Sequence, residues 1–437
     1  MDRIRIGLLG CGVVGQGILR LLRGNASNLE RRLGAPIEVR RVVARDPDKV
    51  RGELVPRSIM SFDPASVVDD PDIDIVVEVM GGLEPAGALV QAALERGKSV
   101  VTANKFLLAE RGQELFELAE SKNVDLYFEA AVCGGIPVIR VLREALVADT
   151  VIALRGIVNG TSNYILSRMQ DERIDYAVAL KGAQDAGYAE ADPALDVNGG
   201  DACHKLTILA TLAFGARIKP AQVHTEGIEQ IGAVDMQMAE RFGYRIKLLA
   251  IARALPGGAL DLRVHPALVR RDSVLASISG ALNAVVVEGE MLGPLLLSGY
   301  GAGAMPTAMS VVSDVVDVGR NLLMGSTGRV PQRTMPGELL AVREVQNAGQ
   351  HTGPYYLRFS VLDRPGILAR IAGVLGAFDV SIEQMVQEGR AAGTAESVNV
   401  VMLTHSCREQ NIKSALREIH MLSGIAQPSR CIRIEEV

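Results

Sequence analysis

Asp201 and Lys205 stand four residues apart at the head of an apolar run, LTILATLAF, that begins at Leu206. A spacing of four puts two side chains on one face of a helix. On a surface helix such a pair is an ordinary ion pair worth under about 1 kcal/mol. On a helix buried by its apolar run, the lysine is partly desolvated and suited to proton transfer. The stretch leading into this pair, GYAEADPALDVNGGDACHK from Gly187, also carries Glu190, Asp192 and Asp196. Its acids can form a pocket for a substrate ammonium or an oxygen-ligated metal site. The competing reading is a solvated acidic loop, with Asp201 as a helix N-cap or first-turn acid. Cys203 and His204 are adjacent, and helix neighbours point apart. Both are read as packing residues, not metal ligands.

A second cluster opens the chain. Gly10, Gly12 and Gly15, with Val13 and Val14 between them, follow an apolar strand and start an apolar helix. Gly10 permits a tight turn, Gly12 lets the backbone approach a pyrophosphate, and Gly15 lets the helix sit close to the sheet. The free N–H groups of the helix start favour an anion there. This context points to a nicotinamide dinucleotide. An acid at the end of the second strand would select NAD; here Arg45 stands in Val42-Val43-Ala44-Arg45-Asp46, which favours a 2′-phosphate and hence NADP. A solvated loop arginine is the competing reading. Thr102-Ala103-Asn104-Lys105 ends another strand. Ligands of open parallel sheets bind at such ends, so Lys105 can hold a carboxylate or phosphate or move a proton. A solvated surface lysine competes.

These groups need a scaffold. Strand-like runs at 4–9, 37–44, 73–80, 99–103 and 124–130 alternate with helical runs such as 84–96 and 109–122, which implies a parallel α/β sheet of Rossmann type over residues 1–155. Residues 156–300 read as an inserted α+β catalytic and dimerisation domain. Its parts are a helix from Asp201 to about Phe214 and strands at 245–254, 259–265 and 284–288. The glycines from Gly299 to Gly303 and Pro306 open a helix expected to return to the first domain and complete it over about 301–325. Residues 326–353 read as a linker. Residues 354–437 read βαββαβ, the ferredoxin-like order, with strands at 356–362, 381–387, 397–404 and 431–435 and helices at 366–377 and 408–421.

Composition narrows the class. The 437 residues are 48% apolar and 22% charged, with no Trp and a net charge of −5. Several aliphatic cores fit. A basic nucleic-acid surface does not, because no Lys/Arg-rich run is present. No apolar run has the length needed to span a bilayer. The five cysteines are scattered and odd in number, which reads as free thiols in a reducing cytoplasm.

With these residues in place, the chain resembles the homoserine dehydrogenases over about residues 1–325. The resemblance rests on Ala183, Gly187, Glu190, Asp192, Pro193, Asp196, Gly199, Asp201 and Lys205 at that family's spacing. The glycine turn, Thr102–Lys105, Asn159–Asn163 and the run Gly301, Gly303, Pro306, Thr307 add to it. His204 departs from it, a small residue being commoner there. The resemblance implies interconversion of L-homoserine and L-aspartate 4-semialdehyde with NADP or NAD, in threonine and methionine biosynthesis. It makes Lys205 the proton donor and acceptor and Lys105 a second active-site lysine. Glu190 and Asp201 become the substrate-binding acids, flanked by Gly187 and Asp196. Gly10, Gly12, Val13, Val14, Gly15, Arg45, Thr102, Lys105 and Gly303 lie along the cofactor. Glu129, Val132, Gly134 and Ile136, in FEAAVCGGIP, match a segment that binds a monovalent cation such as sodium.

The last 83 residues resemble an ACT domain, with Asp363-Arg364-Pro365-Gly366-Ile367-Leu368 as its first strand-to-helix turn; 390–395 departs from the pattern. The resemblance implies an amino-acid effector, commonly L-threonine, and a homodimer or homotetramer. Because the chain opens on the first strand, no kinase is expected ahead of it. The rival reading is a non-catalytic regulator that senses NAD(P) and an amino acid, and it has no need of Lys205 or the acids around it.

Overall fold

The structure is a computed structural model that describes residues 2–46, 55–388 and 397–436. The segment 390–395 lies outside the described residues.

Six parallel strands form the first sheet: β1 (Ile4–Leu9), β2 (Ile37–Val43), β3 (Met60–Ser61), β4 (Ile75–Glu78), β5 (Ser99–Thr102) and β6 (Leu126–Tyr127). Their order is β3-β2-β1-β4-β5-β6. The central strands are apolar on both faces because helices cover both. The order reverses beside β1, so the ligand crevice lies past the carboxyl ends of β1 and β4. The strand expected over 124–130 stops at Tyr127, and Glu129–Ala131 turns as a 3-10 helix. Helix Val13–Gly24 packs on helix Ala304–Met324, where a Cβ on Gly17 would lie 2.6 Å from the Ala304 carbonyl oxygen. Ala308, Val311 and Val315 share a core with Ile4 and Ile18. The late helix therefore belongs to the first layer in space.

The second sheet begins with β7 (Val151–Ile157), β8 (His224–Thr225), β9 (Tyr244–Ala254), β10 (Leu260–Arg270), β11 (Leu282–Gly289) and β12 (Gly293–Tyr300). Three of these, β7, β8 and β12, exceed the sequence expectation. β7 had no place in it. β12 had none either, and only its last residues, Gly299 and Tyr300, fall in the stretch read as opening a helix; it pairs antiparallel with β11 through a tight hairpin. Its residues alternate half-buried and exposed, as an edge strand's do.

The chain continues through β13 (Thr352–Gly353), β14 (Tyr355–Leu362), β15 (Ile382–Glu388), β16 (Ser397–Thr404), β17 (Cys407–Arg408) and β18 (Ile425–Glu435). The order β18-β14-β16-β15, with helices Ile367–Ala377 and Glu409–Ile419, is the ferredoxin-like arrangement. This sheet is not separate. β18 pairs parallel with β10, Ala267 to Arg433 through Val269 to Glu435, so one sheet runs through both parts. The stretch expected to be a linker is tied down along its length. Arg143 donates to the carbonyls of Val330 and Pro331, Arg333 pairs with Glu120, and Ala341 and Val345 bridge to Ala216 and Leu260. Its glycines and prolines shape a fixed strap, a role that composition does not separate from a free linker.

Candidate active site

Helix Gly200–Phe214 is buried along nearly its whole length, as its apolar run requires. Gly199, at φ +86°, sets its start, and Asp201 lies in its first turn. Lys205 is 8% exposed. Its Nζ donates to the Val158 carbonyl at 2.7 Å and to Asp201 Oδ2 at 2.7 Å. The other Asp201 oxygen, Oδ1, meets Lys105 Nζ at 2.9 Å. Lys105 starts helix Lys105–Lys122 just beyond β5. One buried carboxylate thus holds two ammoniums from different parts of the molecule.

Asn159 completes the cluster. Its amide nitrogen donates to Asp201 Oδ2 at 2.8 Å and to Asp196 Oδ1 at 2.7 Å. Its amide oxygen accepts from Ser162 N and caps helix Gly160–Glu172. The sequence reading placed Asn159 only in the matching run Asn159–Asn163 and gave it no role.

Charge follows from this geometry. Burial alone would raise the Asp201 carboxyl. Lys205, Lys105 and the hydrogen bonds from Lys205 and Asn159 outweigh it and hold the group well below the usual carboxylate range. Asp201 in turn raises the Lys105 ammonium despite burial. Burial and the charge of Asp201 raise Asp196. Asp201, expected to bind substrate, meets both lysines. Glu190 is exposed at the end of the turn that Gly187 opens with φ +75°, and its charge reaches Lys105. Among the described residues no group of three or more His, Cys, Asp or Glu is placed to hold a metal ion. His204 stacks on Phe106 with ring centroids 4.9 Å apart and packs, as expected.

The glycine turn fits a pyrophosphate. Gly10 takes φ +110°, and a Cβ there would lie 2.8 Å from the Val79 carbonyl oxygen. A Cβ on Gly15 would strike the Gly10 oxygen at 2.3 Å, whereas Gly12 faces open space. Val13, beside it, is an apolar side chain left 70% exposed, and Val14 is half-buried. Arg45 is exposed just past β2. Gly303, at φ +116°, caps helix Ala304–Met324. Thr102 is fully buried and gives its hydroxyl to Glu78, an acid inside the run 73–80 to which the sequence reading gave no role.

The Glu129 carboxylate accepts from the N–H groups of Ile139 at 2.9 Å and Arg140 at 2.8 Å, and the Glu129 N–H donates to Asp314 at 2.8 Å. Val132, Gly134 and Ile136 are buried in the same turn. Burial pushes Glu129 up to about 7. Burial and the charge of Glu129 push Asp314 up to about 8. Asp314 had no signal in the sequence, because it lies on a helix far along the chain.

No described helix is long and apolar enough to cross a membrane. Three family models match in sequence order: "Homoserine dehydrogenase, NAD binding domain" over residues 10–129, "Homoserine dehydrogenase" over 137–316 and "ACT domain" over 355–423. The homoserine dehydrogenase of Neisseria gonorrhoeae is 43% identical, covering 100% of both chains, and that of Pseudomonas aeruginosa is 42% identical over the same shares. A crystal structure of a homoserine dehydrogenase from Thiobacillus denitrificans superposes with a TM-score of 0.93 at 45% identity, over 100% of this chain and 99% of that one. A hyperthermophilic archaeal homoserine dehydrogenase in complex with NADPH superposes with a TM-score of 0.62 at 28% identity, over 72% of this chain and 97% of that one. With a nicotinamide-binding sheet, two lysines on one buried carboxylate and such identity from end to end, this chain belongs to the homoserine dehydrogenase family.

Proposed function

We propose that the chain interconverts L-homoserine and L-aspartate 4-semialdehyde with Lys205 as the proton-transfer group. The observation that carries this is the bonding of Lys205 Nζ. Two of its three donors are spent on Val158 and Asp201, which leaves one for a substrate oxygen. A bound nicotinamide supplies or takes up the hydride. In reduction the aldehyde oxygen gains charge, and the Lys205 ammonium stabilises and protonates it. In oxidation the proton returns to the same nitrogen. Lys105 adds positive charge at the same site, and Asp201 keeps both lysines oriented. Glu190 and Asp196 are then the acids that hold the substrate ammonium. A non-catalytic sensor has no use for two lysines on a buried carboxylate.

The finer assignments belong to the same proposal. Arg45 meets the 2′-phosphate, so NADP is preferred; a structural relative's complex with NADPH supports this. Glu129 and the carbonyls of Val132, Gly134 and Ile136 take a monovalent cation such as sodium, for which carboxylate and carbonyl oxygens are the suitable hard donors. The ACT domain binds L-threonine. The enzyme is a cytoplasmic homodimer or homotetramer, with β15, the last strand of its sheet among the described residues, as the edge for a second copy. The test is the near-ultraviolet absorbance of reduced cofactor when the full chain is mixed with L-homoserine and NADP or NAD. Reduced cofactor is expected, faster with NADP. No reduction with either would sink the proposal.

A further inference from the structure

Glu78 ends β4 and is fully buried. Its Oε1 accepts the N–H groups of Met80 at 2.8 Å and Gly81 at 3.1 Å. Its Oε2 accepts the Thr102 hydroxyl at 2.5 Å. The Thr102 oxygen accepts from Asn104 N at 3.0 Å. Asn104 then works in two directions. Its amide nitrogen donates to the Gly82 carbonyl at 2.7 Å, and its amide oxygen accepts from Leu107 N and caps helix Lys105–Lys122. The circuit Glu78, Thr102, Asn104, Gly82 is closed.

Its two ends matter for the reaction. Gly81 and Gly82 take φ +73° and +77°, a path that needs fixed backbone bonds to stay defined. This loop leaves β4 against the glycine turn, since a Cβ on Gly10 would lie 3.1 Å from Met80 N. The other end is the first turn of the helix whose first residue, Lys105, reaches Asp201. Burial raises the Glu78 carboxyl and the hydrogen bonds from Thr102, Met80 and Gly81 oppose that, and both of its oxygens are spent on these neighbours, which fixes their positions.

We propose that Glu78 is a positioning residue. It locks the Met80–Gly82 loop beside the cofactor turn to the helix start that carries Lys105. The two then present cofactor and lysine in one fixed register. This rests on the reading of Lys105 as an active-site lysine.

The experiment compares Glu78→Gln, Thr102→Val, Thr102→Ser, Lys105→Met and the doubles E78Q/T102V and E78Q/K105M in the full chain. Glu78→Gln keeps the shape but turns an amide nitrogen toward Thr102, whose hydroxyl proton then loses its acceptor. Expected for Glu78→Gln and Thr102→Val are a rise in cofactor KM and a fall in kcat, each about tenfold, with homoserine KM within about twofold. Thr102→Ser keeps the hydroxyl and should restore both constants. The E78Q/T102V double should lose little beyond either single, because both break one circuit. In the Lys105→Met background, Glu78→Gln should still raise cofactor KM but no longer lower kcat. Lower melting temperatures with unchanged cofactor KM and kcat would overturn the proposal, as would fully additive losses. A Lys105→Met enzyme with unchanged kcat would instead overturn the reading of Lys105, and Glu78→Gln would then move cofactor KM alone.

Discussion

Lys105 and Asp201 meet at 2.9 Å although one starts the helix behind β5 and the other lies in the first turn of helix Gly200–Phe214. The pair ties the nucleotide-binding sheet to the helix that carries Lys205. With Lys205 on the second Asp201 oxygen, one carboxylate sets the distance between two cations that would otherwise repel. The cost of burying that carboxylate is offset by its contacts with Lys105, Lys205 and the Asn159 amide, together with its place at a helix N-terminus.

Removing the Lys205 ammonium should show its role directly. Lys205→Ala is expected to lower kcat by roughly 10²–10⁴, the usual worth of acid–base catalysis. Cofactor KM should barely change, because the glycine turn is untouched. Steady-state kinetics at saturating cofactor checks this. A variant that keeps most of its kcat would reduce Lys205 to a structural partner of Asp201.

Part of this site is legible in the sequence. The four-residue spacing of Asp201 and Lys205 and the apolar run after them imply a shared, buried face. The glycine turn is legible because its three glycines each answer a local steric need. Lys105 can be placed at a strand end, but its pairing with Asp201 cannot, since no local pattern records which distant helix starts meet. Asn159 shows only its place in the run 159–163, and Glu78 only its place inside an apolar strand run. β12 is hidden because its glycines weaken the strand pattern. The pairing of β18 with β10 joins elements far apart in the chain, and parallel edge pairing leaves no turn signal.

Asp201 should also carry a pH signature. Its carboxyl is held low in the folded chain, so the stabilisation is complete above the unfolded value near 4 and is lost as pH falls from there through the lower folded value. Asp201→Asn should therefore be less stable than the parent at neutral pH, and the gap should narrow as the pH drops below about 4. Melting temperatures of both proteins across pH 7 to 3 measure it. A gap independent of pH would mean that the charge on Asp201 does not stabilise the fold.

Cofactor choice turns on Arg45. Loss of a charge-assisted bond to phosphate costs about 1.5–3 kcal/mol, which is roughly 10- to 100-fold in NADP KM. Arg45→Ala should leave NAD KM within about threefold. Equal changes for both cofactors would remove Arg45 from the phosphate site.

The C-terminal part bears on both stability and control. The sequence suggests that residues 355–437 fold alone and that a chain cut near Gln350 keeps its activity. The sheet argues otherwise. Arg263 on β10 is 1% exposed and donates to Glu435 on β18 at 2.7 Å, while Arg433 donates to Glu226 and Glu409. Cutting the chain takes away Glu435 together with the strand that covers this edge of β10, and Arg263 keeps Asp261 as a carboxylate partner. The cut removes this ion pair and the strand neighbour of β10 at once, and it exposes the apolar residues of β10 that β18 covers. The truncated chain should melt roughly 10 °C or more below the full chain. Glu435→Gln in the full chain should show a smaller loss in the same direction. The same contacts give an effector a physical route. Glu226 precedes Gly227 and Ile228, and Ile228 N donates to the Val197 carbonyl at 2.8 Å, in the turn that leads to Asp201. An effector inhibits only by binding two states with different affinity. Threonine inhibition should therefore appear in the full chain and weaken in Glu226→Gln at equal threonine binding. Inhibition unchanged by Glu226→Gln would place the route elsewhere, and a truncated chain as stable as the full one would show that the shared sheet contributes nothing to the fold.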